Sequence, residues 1–192
     1  MPEPFSENRI EVITGCMFAG KTEELFRRLR RAEIAGKSIK VFTPDVDCRT
    51  GESLIGSHNG ESLSATVLDS EGPYSELVNY SQDFDLMAID EGNFFTSALI
   101  PVLDSVSNND TRVIVTGLDQ NFRGEPFEPM NDVMAIADSV KKLSAICSQC
   151  GKQATRTQRL IDGEPAPAES PTILVGGEES YEARCRECHQ VI

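Results

Sequence analysis

Arg9-Ile-Glu-Val-Ile-Thr-Gly-Cys-Met-Phe-Ala-Gly-Lys-Thr22 contains, from Gly15 onward, every fixed position of the phosphate-binding pattern G-x-x-x-x-G-K-[ST]. Ile10, Val12 and Ile13 ahead of it form a short apolar, partly β-branched run, which reads as a buried strand. Behind it, Glu23 to Ala35 places Leu25, Phe26, Leu29 and Ala32 at helical spacing, and Gly36 supplies the stop. A glycine-rich turn between strand and helix points backbone N–H groups inward at the positive end of the helix dipole, which suits an anionic phosphate. Gly15, Cys16, Met17, Phe18, Ala19, Gly20, Lys21 and Thr22 are therefore the candidate nucleotide cradle. Lys21 would meet the terminal phosphates, and the Thr22 hydroxyl would be a ligand to Mg²⁺.

Outward from this turn, Ser38 to Thr43 reads as a second strand, completing a parallel βαβ unit. Residues 44–64 are polar and glycine-rich, with Asp45, Asp47, Arg49, His58 and Asn59, and read as a long loop. Arg49 could supply charge to a transferring phosphate or be an ordinary surface arginine. A brief strand is expected over 65–69 and a short helix over 75–80. Phe84-Asp-Leu-Met-Ala-Ile-Asp90 is an apolar strand ending in the acidic pair Asp90-Glu91, the pattern of a strand whose terminal carboxylate faces a nucleotide-bound metal. A helix near 97–105 and a strand over 112–118 follow, the strand again ending in an acid, Asp119. Both strands deliver carboxylates to the carboxyl edge of one sheet, where ligands of open α/β sheets bind. Phe122, Arg123 and Phe127 lie in the loop beyond, and residues 132–138 read as a short helix.

The 192 residues suit one ordinary domain with a small appendage, and the composition is that of a globular chain. A formal charge of −13 argues against a nucleic-acid-binding surface as the main business of the chain. The one basic cluster, Arg27, Arg28, Arg30 and Arg31, reads as a solvated helix face paired with Glu23, Glu24 and Glu33. No apolar run is long enough to span a bilayer, no signal peptide is evident, and a cytoplasmic, membrane-free location is expected.

Four of the six cysteines form two C-x-x-C pairs, Cys147 with Cys150 and Cys185 with Cys188. Two such knuckles supply the four thiolates of a closed, structural Zn²⁺ site. Disulfides are the competing reading, disfavoured in a reducing cytosol. Between the knuckles, 153–160 and 172–175 read as strands, and 162–171 as a proline-rich loop anchored at its base by metal. His189 could compete as a ligand, while Cys16 and Cys48 read as ordinary small residues.

These parts, in this order, resemble the type II thymidine kinases, small zinc-containing nucleoside kinases. The resemblance runs from Ile10 to Cys188. It is carried by Gly15 to Thr22, Asp47-Cys-Arg49, Asp90-Glu-Gly-Asn-Phe-Phe95, Leu118-Asp-Gln-Asn-Phe122 with Pro126-Phe127, the two knuckles, and Val175-Gly-Gly177 with Tyr181. It implies a RecA-like parallel α/β sheet over residues 1–143 and a zinc-binding lasso over 144–192. It also implies transfer of the ATP γ-phosphate to the 5′-hydroxyl of thymidine or deoxyuridine, and a homotetramer. By resemblance Glu91 is the catalytic base, Asp90 acts on Mg²⁺, and Arg49 approaches the phosphates beside Lys21. Met17, Phe94, Leu118, Phe122, Phe127 and Tyr181 would line the nucleoside pocket, closed over by main chain near Thr172, Leu174 and Gly176. Three positions depart from the family pattern: Asn93 for Gln, Cys16 for Pro and Ala19 for Ser. The rival readings are a P-loop ATPase, in which Glu91 activates water, and a nucleotide sensor whose zinc module docks a protein.

Overall fold

The computed structural model describes residues 9–45, 52–56, 62–173 and 180–192. Strands β1 (Ile10–Thr14), β2 (Ile39–Pro44), β3 (Glu52–Gly56), β4 (Ser62–Leu68), β5 (Leu86–Ile89), β6 (Arg112–Gly117) and β7 (Ser139–Lys142) form one sheet in the order β3-β4-β2-β5-β6-β1-β7. Every pairing is parallel except β3 with β4. The ends of β1, β5 and β6 therefore share one edge, with β6 between the other two.

Alternation along the strands sends side chains to two apolar layers. Ile13, Leu86, Ala88 and Ile114 pack with Leu25, Phe26, Leu29 and Ala32 of α1 (Lys21–Ile34) on one face. On the other face Val12, Met87, Ile89, Val113 and Val115 pack against α2 (Ser75–Tyr80), α3 (Leu99–Asn108) and α4 (Met130–Ile136). The expected helix over 23–35 is thus α1, closed by Gly36 at φ +74°. Lys37 N–H donates to the Ala32 carbonyl at 3.0 Å, a bond that closes the last turn.

The remaining chain forms two small sheets. β8 (Ala145–Ile146) pairs with β9 (Gln153–Ala154), and β10 (Arg156–Ile161) lies between β11 (Glu164–Pro165) and β12 (Tyr181–Arg184). A third apolar cluster, with Cys16, Ala145, Cys147, Ala154, Ala183 and Cys185 buried, joins this region to the loop after β1.

Several expectations are corrected. The loop over 44–64 contains β3, a strand with too little apolar character to register: Ile55 is buried and Leu54 faces out. β7, Ser-Val-Lys-Lys, was not expected at all, because it joins β1 through backbone hydrogen bonds and needs no apolar alternation. The single strand over 153–160 is broken at Thr155 into β9 and β10. Thr172 and Ile173 belong to no strand. The carbonyls of Pro171 and Thr172 accept from the Arg159 side chain instead of a neighbouring strand. The helix-face arginines are not all solvated either. Arg28 turns inward to Glu11, a buried carboxylate on β1 that Arg112 also reaches at 2.6 Å, and donates to Glu24 at 2.9 Å. Breaking such a buried pair from one side typically costs about 3–5 kcal/mol. Among the described residues no helix is long and apolar enough to cross a membrane.

Candidate active site

The turn between β1 and α1 is held by its glycines. Gly15 has φ +147°, and a Cβ there would lie 2.5 Å from the Leu143 carbonyl oxygen. Gly20 caps α1 at φ 81° in the left-handed region, where L side chains are strained. Lys21 opens the helix, its Nζ donating to the Cys16 carbonyl at 3.1 Å across the loop. Met17 N–H donates to Thr157 Oγ1 at 3.1 Å, so β10 supports the loop from outside the main sheet.

At the end of β5 the two acids take different places. Asp90 is buried, and its Oδ1 accepts from Glu91 N–H at 3.0 Å and from Thr116 Oγ1. Burial pushes the Asp90 carboxyl up, against these hydrogen bonds and the charge of Lys21. Glu91 stands in the left-handed region at φ 51°, ψ 44°, and lines a cavity of about 250 Å³. Non-glycine residues are held there at a cost of about 1–3 kcal/mol, and such positions cluster at functional sites. Asp119, which the sequence offers as a second acid at this edge, is buried, ion-paired with Lys142 and absent from the cavity wall.

Of the expected site residues, Met17, Phe18, Gly20, Lys21, Thr22, Glu91, Phe94, Leu118, Phe122, Phe127, Thr172 and Tyr181 line this one cavity. Gly15, Cys16 and Ala19 shape the loop without lining it, and Asp90 sits behind Glu91. Arg49, Leu174 and Gly176 lie outside the described residues, as do Cys48 and His58. Asn93 holds the far wall, its Oδ1 accepting from Leu118 N–H at 2.8 Å.

The four knuckle cysteines converge as expected. Their Sγ atoms all lie within 4.8 Å of one another, with Cys150 and Cys185 at 3.6 Å. A tetrahedron of Zn–S bonds of ~2.3 Å has edges of about 3.8 Å, so the set fits zinc. His189 is no competitor: its Nε2 lies 2.8 Å from the Phe122 carbonyl oxygen. Cys16 packs as a small buried residue, set against the knuckles in the third apolar cluster.

The family model described as thymidine kinase matches residues 8–189. The chain belongs to the thymidine kinase family. It is 56% identical over 186 residues to a thymidine kinase of Halobacterium salinarum, covering 95% of this chain and 94% of that one. It is 48% identical over 211 residues to a thymidine kinase of Haloquadratum walsbyi, with 94% of each covered. A looser likeness, TM-score 0.43 at 14% identity over 72% of this chain and 40% of the other, is to a crystal structure titled DNA replication initiation factor.

In this thymidine kinase family member the cavity also gathers Asn121, Thr157, Arg159 and Ile173, none given a site role from sequence. Asn121 had a local signal, an amide side chain in a Gly-containing loop: its Oδ1 accepts from Arg123 N–H at 2.9 Å and Glu125 N–H at 3.2 Å. Thr157 and Arg159 had none. They are alternate residues of β10, and only the packing of β10 on the β1–α1 loop brings them to the cavity.

Proposed function

We propose that this chain transfers the γ-phosphate of ATP to the 5′-hydroxyl of thymidine, and of deoxyuridine as well, giving the nucleoside monophosphate. The observation that carries the reading is a single cavity with Lys21, Thr22 and Glu91 at one side and Phe94, Leu118, Phe122, Phe127 and Tyr181 about the rest. A phosphate cradle and an aromatic pocket of nucleoside size thus open onto each other.

Phosphoryl transfer asks mainly for positioning and charge neutralisation. The loop amides and Lys21 hold the ATP phosphates, and by the family resemblance Arg49 would add charge at the transferring group. Thr22 and Asp90 would hold Mg²⁺, with Asp90 fixed in place by the two donors on its Oδ1. Bound there, the ion supplies charge neutralisation across the phosphates. Glu91 accepts the proton of the 5′-hydroxyl as that oxygen bonds to the γ-phosphorus. The bond from γ-phosphorus to the β–γ bridging oxygen breaks, and ADP leaves with the electron pair. The aromatic walls exclude water, which favours transfer to sugar over hydrolysis. Cys147, Cys150, Cys185 and Cys188 would hold one structural zinc, with residues 144–192 as the lasso module beside a nucleotide-binding module over 1–143.

Product analysis tests the reading. ATP, Mg²⁺ and a nucleoside panel should yield thymidine monophosphate; free phosphate alone would identify an ATPase, and no turnover a sensor. Purine nucleosides reacting in place of thymidine would overturn the substrate class. A homotetramer in the cytoplasm completes the proposal on family resemblance, and a monomeric mass by light scattering at full activity would remove the tetramer.

A further inference from the structure

The segment Ala166–Thr172 leads to the cavity, which Thr172 lines, with almost no apolar anchorage of its own. Ala166 is buried, whereas Ala168, Glu169, Pro171 and Thr172 are exposed. What holds it is backbone. Arg123 donates from all three nitrogens: Nε to the Ala168 carbonyl, Nη1 to Thr172 Oγ1 at 3.0 Å, and Nη2 to the Ser170 carbonyl. Arg159 donates to the Pro171 carbonyl and, at 2.8 Å each, to the Thr172 carbonyl and Tyr181 Oη. The two guanidinium carbons lie 4.4 and 4.3 Å from the centre of the Phe122 ring. Phe122, Thr172 and Tyr181 line the cavity, and so does Arg159; Arg123 does not.

We infer that Arg123 is a positioning residue for the nucleoside, clamping Ala168–Thr172 to the Phe122 ring and thereby setting the height of the cavity roof. The chemistry is specific to arginine. A planar fork reaches three acceptors at once while its face lies on an aromatic ring, and a lysine ammonium can do only part of this. Ala166 and Ala168 are tied by their own N–H groups to the Arg159 and Ile192 carbonyls, and the charge-assisted bonds to the carbonyls beyond fix the rest before substrate arrives, so binding is spared the ordering of that chain. Arg123 is itself aimed by Asn121, whose Oδ1 accepts its N–H at 2.9 Å. Arg123 does not itself line the cavity, but the wall residues it touches are Phe122 and Thr172, so its effect falls on the nucleoside and not on the phosphates held by the loop before α1.

This inference rests on the thymidine reading, and the test separates the two. Arg123→Gln should raise the KM for thymidine on the order of tenfold, the loss expected of charged hydrogen bonds, while kcat and the KM for ATP hold within about twofold. Arg123→Lys should fall between. Amide hydrogen exchange of the free, zinc-loaded protein supplies a readout independent of turnover: in Arg123→Gln, amides of residues 166–173 should exchange faster, with those of β1, β5 and β6 unchanged. An unchanged exchange pattern, or equal rises in both KM values, overturns the clamp. If the wild-type protein makes no thymidine monophosphate, the substrate reading fails, and the exchange comparison alone decides whether Arg123 holds the segment.

Discussion

The Cys16 thiol lies 3.5 Å from the Ala154 carbonyl oxygen, so the phosphate-binding loop rests directly on the hairpin of the first cysteine knuckle. Burial pushes this thiol up, which keeps it neutral in that contact. The knuckles and the nucleotide cradle are therefore one packed unit, although residues 15–22 and 147–150 lie far apart in sequence.

Loss of zinc should consequently be felt at both substrates. From sequence alone, Cys150→Ser is expected to impair nucleoside binding more than ATP binding; the contact between Cys16 and Ala154 extends the loss to ATP. Structural zinc contributes on the order of 10 kcal/mol in small peptides, so chelation should lower the Tm and weaken both ligands by calorimetry. Elemental analysis finding no zinc in active protein would end this account.

Glu91→Gln should lower turnover by about 10²- to 10⁴-fold while ATP and thymidine still bind, the usual contribution of a positioned general base. Glu91→Gly should be equally inactive yet more stable than Glu91→Ala, because both lose the same side chain while glycine alone relieves the left-handed backbone at φ 51°. A calorimetric Tm for the glycine variant below that of the alanine variant would contradict the strain argument. Near-normal turnover of Glu91→Gln, with chemistry rate-limiting, would contradict the base assignment. Asp119, held by Lys142 away from the cavity, would not then be a ready substitute.

Asp90→Asn should behave differently from Glu91→Gln. Its rate should recover in part as Mg²⁺ is raised, whereas the Glu91 variant should not respond. A Mg²⁺ titration of both variants checks this, and parallel curves would mean that Asp90 has no part in holding the ion.

Gly15→Ala should destabilise the fold and abolish ATP binding together. The added methyl meets the Leu143 carbonyl at 2.5 Å, backbone that cannot turn aside like a side chain, in a conformation already costing L residues about 1–3 kcal/mol. Isothermal titration of the variant with ATP should show no binding; wild-type affinity would mean that the loop tolerates the shift.

Acid stability should depend on Glu24. The hydrogen bond from Arg27, with further help from Arg28 and Lys141, holds its carboxylate down to about 2, against an ordinary 4.5. A depressed folded-state pKa contributes stability that is complete above pH 4.5 and lost as pH falls toward 2, reduced by solvent screening because the Arg27 side chain is half exposed. Glu24→Gln should flatten the stability curve in that window, read by urea unfolding at several pH values. An unchanged slope would assign the acid sensitivity to other carboxylates.

The βαβ start, the phosphate loop, the acidic pair after β5 and the four-cysteine set are all legible in the chain before it folds. Each is written in neighbouring residues: apolar period, glycines at fixed offsets, and C-x-x-C turns whose geometry is local. Tertiary structure alone decided which of Asp90, Glu91 and Asp119 meets the cavity. All three follow apolar strands, but Thr116 and Lys142, from elsewhere in the chain, engage the two aspartates and leave Glu91 on the wall. It also decided that Arg28 faces Glu11, that the polar stretch Ser139–Lys142 extends the sheet, and that Arg123 and Arg159 hold Ala168–Thr172. Those outcomes depend on partners brought together by packing and on backbone hydrogen bonds, which leave no periodic mark in the chain that forms them.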